Sequence, residues 1–173
     1  RGDKERLLPQ KGETILYLGA GHGTTISHLH DLICGENGHE GGRILAVDLS
    51  PRCLRDLNHL ALSRPGILPI LADARNHSRW GMMMPHKVNW MLQDVSQAGQ
   101  AAMFLEAAHR CLASGGIALL SLKAASERWS DEGEKALFAA VEEELEQGGL
   151  IVEEVLNLHG LQDNHRMFIT RMP

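Results

Sequence analysis

The sequence lacks any hydrophobic run long enough to cross a membrane. Its longest apolar stretches, such as residues 117–120, fall far short of the roughly 20 residues that a spanning helix needs. The first six residues are mostly charged and no apolar core follows them, so we expect no signal peptide and no membrane anchor. Hydrophobic residues make up 43% and charged residues 23% of the 173 positions, which predicts a single globular domain over residues 1–173.

Cysteine is scarce, and several familiar catalytic and metal-binding motifs are missing. The three cysteines, Cys34, Cys53 and Cys111, are odd in number and widely spaced, which predicts reduced core thiols without redox chemistry. Ten histidines are present, but His-Glu-x-x-His and Cys-x-x-Cys are not, so we expect no metal site. A serine hydrolase of the Gly-x-Ser-x-Gly type is excluded in the same way.

Positive charge is also in deficit. Seventeen lysines and arginines against 22 aspartates and glutamates give a net charge of −5. A chain of this charge repels nucleic acid unless its positive residues gather on one face. Any role with a polynucleotide would therefore need help from other components.

Strand-like segments alternate with segments of helical period, the pattern of an α/β protein with a parallel sheet covered on both faces. The predicted strands are residues 14–18, 43–47, 67–71, 88–92 and 117–122. The apolar stripes of the predicted helices are Ile26, Leu29 and Ile33; Leu54, Leu57 and Ala61, after a Ser50 cap and Pro51; Phe104, Leu105, Ala108 and Leu112, ended by Gly115-Gly116; and Leu137, Phe138, Val141 and Leu145, ended by Gly148-Gly149.

The last part of the chain changes rhythm. Residues 150–158 and 166–170 are extended runs with no helix between them, so we expect a hairpin at one edge of the sheet. Residues 35–42, with four glycines, predict a surface loop, and residues 76–87 an irregular stretch with room for a short helix. We interpret Trp80 and the methionines at 82–84 as packing residues rather than a binding platform.

A glycine-rich turn, residues 19–25, separates the first strand from the first helix. Such a turn lets a ligand approach the backbone and directs free N–H groups at an anion. The spacing is not that of a dinucleotide fingerprint or a phosphate loop, because the third glycine is Gly23 and Thr24 follows it. A pyrophosphate is therefore not the expected ligand.

Three aspartates follow three neighbouring strands. Asp48, Asp73 and Asp94 come at the carboxyl ends of strands 2, 3 and 4, around the crevice where open α/β sheets bind ligands. One aspartate after a strand is usually a cap or turn residue, but three beside a glycine turn favour a nucleoside site, with Asp48 on the ribose. Lys123 ends strand 5, where Asp94 is its natural partner because an unpaired buried lysine is costly.

These motifs resemble those of the fibrillarin family of S-adenosylmethionine-dependent RNA 2′-O-methyltransferases. The match follows the family's order from about residue 14 to residue 173. It rests on Ile15-Leu16-Tyr17-Leu18-Gly19-Ala20, Gly23-Thr24-Thr25-Ile26-Ser27-His28, Ala46-Val47-Asp48-Leu49-Ser50, Arg55-Asp56-Leu57, Asp73-Ala74-Arg75, Asp94-Val95-Ser96-Gln97, Leu122-Lys123-Ala124 and His165.

The resemblance implies a Rossmann-like class I methyltransferase fold, with a seven-stranded, mostly parallel sheet, an antiparallel C-terminal hairpin and helices on both faces. It implies S-adenosylmethionine as cofactor, S-adenosylhomocysteine as product, and Lys123 as general base or alkoxide stabiliser. The catalytic residues it implies are Asp94, Lys123 and His165. The cofactor-binding residues it implies are Gly19, Ala20, Gly21, Gly23, Thr24 and Thr25 at the methionine end, Asp48 and Leu49 near the ribose, Asp73 and Ala74 near the adenine, and Asp94 and Gln97 beside the methyl group.

The same resemblance implies partners: a guide RNA, a target RNA such as rRNA, and a scaffold protein of the Nop5/Nop56/Nop58 type in a box C/D ribonucleoprotein. It implies a nucleolar protein in a eukaryote and a cytoplasmic one in a prokaryote. The sequence departs from the family pattern at Gly21-His22 and Asn164, and nothing here matches the family's lysine before strand 1 or its small amino-terminal domain.

These departures leave two other functions open. One is a divergent module that binds S-adenosylmethionine without methylating RNA. The other is a methyltransferase acting on protein or on small molecules, which an acidic surface permits. The sequence therefore supports binding of the cofactor better than it supports catalytic turnover.

Overall fold

One mixed sheet organises the molecule. The computed structural model describes residues 7–35, 38, 40–84, 86–127, 133–158 and 165–173, and all strands in these ranges belong to a seven-stranded sheet of order β3-β2-β1-β4-β5-β7-β6. The strands are β1 Thr14–Leu18, β2 Arg43–Asp48, β3 Ile67–Leu71, β4 Val88–Gln93, β5 Leu112–Lys123, β6 Ile151–Asn157 and β7 His165–Arg171. The helices are α1 Thr24–Cys34, α2 Pro51–Ser63, α3 His77–Trp80, α4 Gln100–Cys111 and α5 Gly133–Gln147.

The predicted hairpin is confirmed at the edge of this sheet. Strands β1 to β5 pair in parallel, whereas β7 runs antiparallel to both β5 and β6. Strand β7 therefore enters the sheet and β6 forms its outer edge. The implied α/β architecture, parallel with an antiparallel C-terminal end, is the one observed.

The predicted boundary between α4 and β5 is wrong. Helix α4 ends at Cys111, and Leu112 is already extended, with its N–H bonded to the carbonyl of Ala108 to close the last turn. Leu112 pairs with Val88, and a bulge precedes the next pair, Trp90 with Ile117. Leu112 is fully buried. A buried leucine fits the apolar pattern of a helix and that of a strand, so the pattern alone could not locate the boundary between α4 and β5.

Helix α2 begins as its sequence predicts. The Oγ of Ser50 accepts the N–H of Cys53 at 3.3 Å, and Pro51 occupies the first position of the helix. Leu57 is buried on its inner face, whereas Leu54 and Ala61 are half-buried. One turn therefore carries most of the apolar contact between α2 and the sheet.

The sheet separates two layers of apolar side chains, because neighbouring residues of a strand point to opposite faces. From β1, Leu16 and Leu18 pack on the side of α4 and α5, and Ile15 and Tyr17 on the side of α1 and α2. The largest fully buried side chains of the first layer are Trp80, Phe104 and Phe168. No helix in the described ranges is long and apolar enough to span a bilayer.

The interpretation of residues 80–84 is only half right. Trp80 is fully buried and its indole N–H bonds to the carbonyl of Ala74, so it belongs to the core. Met82 and Met83 are instead 84% and 56% exposed. Cys53 is likewise not the predicted core thiol, since it is half-exposed, whereas Cys34 and Cys111 are buried.

Some positions singled out in the sequence lie outside the described residues. They are Glu36, Asn37 and His39 of the predicted loop, Pro85 of the irregular stretch, and Asn164.

The position of β7 inside the sheet predicts a large cost for Phe168→Ala. Phe168 is 0% exposed, so truncating it should lower the free energy of unfolding by about 3–5 kcal/mol. Ile151→Ala, at a half-exposed site on β6, should cost less than about 1 kcal/mol. Urea unfolding of both variants checks this, and equal costs would contradict the strand order.

Candidate functional site

The strand order creates a crevice at the centre of the sheet. Strands β3, β2 and β1 follow one another in one direction, and β4 and β5 continue from β1 in the other. In such a sheet the ligand site lies outside the carboxyl ends of the strands at this point of reversal. A cavity of about 500 Å³ lies there, lined by Gly19, Gly21, Val47, Asp48, Leu49, Ser50, Ala72, Ala74, Asp94, Val95, Ser96, Gln97 and Lys123.

The glycine turn is held against β4 and α2. Gly19 has φ +83°, and a Cβ there would lie 2.2 Å from the carbonyl oxygen of Asp94. Gly23, with φ +96°, precedes α1, and a Cβ on it would lie 2.8 Å from Leu60 Cδ2. The positive φ favours glycine at both ends of the turn, and at Gly19 the close neighbour is also backbone that cannot move aside.

Asp48 is fixed by backbone groups on both sides. Its Oδ2 accepts the N–H of Gly21 at 2.8 Å, and its Oδ1 accepts the N–H of Ser50 at 2.8 Å. Each carboxylate oxygen keeps a second lone pair for a further donor. Asp48 is thus held in one orientation on the cavity wall, and it can still accept hydrogen bonds from the hydroxyl groups of a ligand.

Lys123 and Asp94 form the predicted ion pair. Lys123 Nζ lies 3.2 Å from Asp94 Oδ1, and the two side chains are only 24% and 27% exposed. Nζ also donates to Ser96 Oγ at 3.0 Å. The contact with Ser96 is a hydrogen bond, whereas the contact with Asp94 is an ion pair without hydrogen-bond geometry. An ammonium group has three donors, so donors remain for a ligand in the cavity that Lys123 lines.

Two residues that the sequence analysis missed hold the backbone of Lys123. Gln100 is fully buried: its Oε1 accepts the N–H of Lys123, and its Nε2 donates to the carbonyl of Lys123, both at 3.1 Å. Glu127 accepts the N–H of Gly99 and both the N–H and Nε2 of Gln100. Gln100 and Glu127 belong to no motif, and no sequence signal marked them.

Asp73 is adjacent to the cavity without lining it. Its carboxylate is bonded by the guanidinium of Arg75, with Nη2 2.7 Å from Oδ2. This contact, ahead of smaller contributions that include the Gln97 amide, holds the pKa of Asp73 below its usual range. Ala72 and Ala74, on either side of it, supply apolar wall.

Tyr17 lies beneath the turn and was not predicted as a site residue. It is 3% exposed. Burial raises its pKa to about 12, and the charges of Asp94 and Asp48 act in the same direction, opposed by a hydrogen bond with Thr25. The phenol is therefore neutral at physiological pH, between two carboxylates.

The structure does not bring all the implied residues onto the cavity wall. Ala20 is buried, and Thr24 and Thr25 are exposed at the start of α1. His165 opens β7 and is paired in register with Lys123, which brings it beside the ion pair. Within the described ranges, no three His, Cys, Asp or Glu side chains are arranged to hold a metal ion.

Comparison with known proteins gives a consistent result. A family model described as fibrillarin matches residues 3–173. The chain is 36% identical over 162 residues to a fibrillarin-like rRNA/tRNA 2′-O-methyltransferase of Thermococcus onnurineus, covering 94% of this chain and 68% of the relative. It is 35% identical over 160 residues to an rRNA 2′-O-methyltransferase fibrillarin of Giardia intestinalis, covering 92% and 47%.

Two solved structures are similar in fold. One is Aeropyrum pernix fibrillarin with natively bound S-adenosyl-L-methionine, with a TM-score of 0.79 and 32% identity, covering 93% of this chain and 67% of that one. The other is a fibrillarin/Nop5p complex, with a TM-score of 0.82 and 28% identity, covering 94% and 73%.

Gly19 and Gly21, two of the three positive-φ glycines of the turn, predict different costs for alanine. Gly19→Ala forces a Cβ into the Asp94 carbonyl, so it should destabilise the chain by about 3 kcal/mol or more. Gly21, with φ +58°, has nothing within 4 Å of its Cβ position, so Gly21→Ala should cost only about 1 kcal/mol. Thermal and urea unfolding measure both values, and similar costs would mean that the turn does not rest on β4.

Proposed function

The chain belongs to the fibrillarin family, and we propose that it transfers a methyl group from S-adenosylmethionine to a ribose 2′-hydroxyl of rRNA or tRNA. The observation that carries this proposal is the Lys123–Asp94 ion pair, which faces the same cavity as the glycine turn and Asp48. A fixed amine and a nucleoside-type site in one cavity support chemistry on a hydroxyl beside a bound cofactor.

The residues of the cavity fit S-adenosylmethionine. A volume of about 500 Å³ is within the usual range for sites of small molecules and cofactors. Val47, Leu49 and Ala74 give apolar wall for an adenine, and Asp48 offers acceptors for ribose hydroxyls. The cofactor, when bound, supplies an electrophilic methyl group on a positively charged sulfur, a charge that suits a wall carrying Asp48 and Asp94.

We assign Lys123 to the reacting oxygen of the RNA. One of its donors is engaged by Ser96, and Asp94 faces the amine as an ion-pair partner, so a remaining donor can hold the 2′-oxygen. The hydroxyl proton passes to solvent water as the oxygen takes the methyl group, and an ammonium held beside a carboxylate stabilises the negative charge that develops on that oxygen. Between the two roles predicted for Lys123, this contact favours the alkoxide stabiliser over the general base.

Asp94 would act by positioning Lys123. His165 would contribute from β7, the strand next to β5 in the sheet. Asp94 holds the ammonium in place, and the pairing of His165 with Lys123 in register supports a role for His165 beside the same amine. Alignment of the acceptor oxygen would supply a larger share of the rate than proton transfer. The assignment of Gly23, Thr24 and Thr25 to the methionine end rests on the family motif and on their place at the start of α1.

We propose that other components deliver the RNA. The chain's net charge of −5 opposes unaided binding of a polyanion. A relative of this fold forms a complex with Nop5p, so a scaffold of the Nop5/Nop56/Nop58 type and a guide RNA are the partners we propose for a single methyltransferase domain. The relatives are archaeal and eukaryotic, and the matching compartment is the cytoplasm or the nucleolus respectively.

Truncation of Lys123 should separate cofactor binding from methyl transfer. Lys123→Ala should reduce transfer to RNA by about 10²- to 10³-fold, because it removes the donor to the reacting oxygen. Affinity for S-adenosylmethionine should change much less, since the remaining cavity residues are intact. Calorimetric titration with the cofactor and a tritium-transfer assay, with guide RNA and scaffold present, measure the two effects.

The matched control is Lys135→Ala, at an exposed lysine of α5, which should leave both values unchanged. Transfer that survives Lys123→Ala would remove the proposed role. If the unmodified chain binds the cofactor but transfers no methyl group under any condition, the module that only binds S-adenosylmethionine is favoured. If it methylates protein or small molecules but not RNA, the alternative methyltransferase is favoured.

Gln100 should behave as a positioning residue. Gln100→Leu removes both hydrogen bonds to the Lys123 backbone, so kcat should fall by about tenfold with little change in KM for the cofactor. It also strips the carboxylate of Glu127 of a partner, which should cost about 1–3 kcal/mol of stability. Gln147→Leu, at an exposed glutamine of α5, is the control. A loss of stability with unchanged kcat would make Gln100 structural only.

A further inference from the structure

A cysteine, a histidine and an aspartate form a chain of contacts at the rim of the cavity. His22 Nδ1 lies 2.7 Å from Asp56 Oδ2, and its Nε2 lies 3.7 Å from the sulfur of Cys53. The glycine turn supplies His22, and the first two turns of α2 supply Cys53 and Asp56. None of the three residues lines the cavity, so the cluster is distinct from the site described above.

The contacts of His22 with Asp56 and Cys53 determine which ring nitrogen donates and which accepts a hydrogen bond. A carboxylate only accepts hydrogen bonds, so Nδ1 of His22 carries the proton that Asp56 accepts. The bond from His22, followed by that from Arg55, holds the pKa of Asp56 below its usual range, which keeps this carboxylate ionised. In the neutral imidazole, Nε2 is then the nitrogen without a proton, and it faces the thiol as an acceptor. This is the arrangement by which an oriented histidine activates a cysteine nucleophile.

The position of Cys53 in its helix adds to this effect. It is the third residue of α2, and its own N–H is bonded to Ser50 Oγ. The N-terminus of a helix favours negative charge, including that of a thiolate. The other two cysteines are buried, and burial raises the pKa of Cys34 and raises that of Cys111 to about 11.

We propose that Cys53 is a site of reversible modification by low-molecular-weight disulfides, and that an adduct there weakens cofactor binding in the neighbouring cavity. In the reaction, His22 takes the thiol proton and the sulfur of Cys53 attacks one sulfur of the disulfide. A new S–S bond forms, the original S–S bond breaks, and the leaving thiolate takes the electron pair and the proton from His22. The disulfide is reduced to one thiol as Cys53 is oxidised, and excess thiol reverses the exchange.

The coupling to the cavity rests on the proposed function and on two shared residues. Gly21, directly before His22, lines the cavity and donates to Asp48, and Ser50, which lines it too, is bonded by the N–H of Cys53. An adduct removes the thiol proton that Nε2 accepts and places a bulky group next to a ring nitrogen 3.7 Å from the sulfur. We infer that the adduct shifts His22, and with it the turn that positions Gly21.

The cluster is not arranged to chelate a metal. The ring of His22 lies between its two partners, so the sulfur and the carboxylate contact opposite edges of the imidazole. Their donor atoms cannot converge on one ion, in agreement with the absence of a metal-binding group from the described part of the chain.

The reactivity is tested with the reduced full chain and oxidised glutathione. Intact mass and peptide mapping should give a single glutathionyl adduct on Cys53. His22→Gln and Asp56→Asn should each slow its formation by about tenfold, whereas His28→Gln, at an exposed histidine of α1, should not. Both test positions are on the surface, and equal unfolding transitions exclude a folding defect. An adduct on Cys34 or Cys111 instead, or a rate indifferent to His22→Gln, would overturn the proposal.

The coupling is tested by titrating S-adenosylmethionine into reduced, glutathionylated and re-reduced protein. We expect the Kd to rise by about fivefold or more on modification and to return on reduction. Cys53→Ser should bind the cofactor equally with and without the treatment. An adduct that leaves the Kd unchanged would overturn the coupling. A reduced chain that does not bind the cofactor would refute the proposed function, while the rate comparison would still decide the reactivity of Cys53.

Discussion

Asp94 ties together the three parts on which the cavity depends. Its N–H bonds to the carbonyl of Leu18 at the end of β1, its own carbonyl bears against Gly19, and its carboxylate holds Lys123 at the end of β5. The turn, the central strands and the amine are thus fixed relative to one another by one residue. A shift of β4 by a fraction of an ångström would therefore move the glycine turn and the amine together.

Two of the three predicted aspartates have a counter-charge and the third does not, which gives the cavity its electrostatic character. Asp73 is paired with Arg75, and Asp94 with Lys123, so each has a full counter-charge. Asp48 is held by two backbone N–H groups, which fix it without cancelling its charge. Tyr17 stays neutral beneath them. The uncompensated charge lies on the Asp48 side, and a cationic ligand is the one that a largely apolar cavity with such a wall attracts.

The sequence identified features whose cause is local. The turn was found because the glycines and the strand before it are contiguous, and the Asp94–Lys123 pair because parallel neighbours end at the same edge. Leu112 was wrongly assigned to the helix because a buried leucine fits the apolar pattern of a helix and that of a strand equally well. Gln100 and Glu127 were missed because neither ends a strand or belongs to a motif, so only the folded chain shows their contacts. Cys53 was misassigned to the core because the sequence pattern did not show that its position is half-exposed.

The two sides of the cavity differ in how firmly they are held. Lys123 and Asp94 end strands within the sheet, and the buried side chain of Gln100 clamps the Lys123 backbone on both sides. Asp48 depends on Gly21 and Ser50, which belong to surface segments joined to each other through His22, Cys53 and Asp56. The contacts that join these segments lie at the surface, since His22 is exposed and Cys53 and Asp56 are half-exposed, so we expect them to open more readily than the buried Gln100 contacts. Chemistry at the surface can therefore reach the Asp48 side of the cavity, while the Gln100 contacts hold the Lys123 side in place.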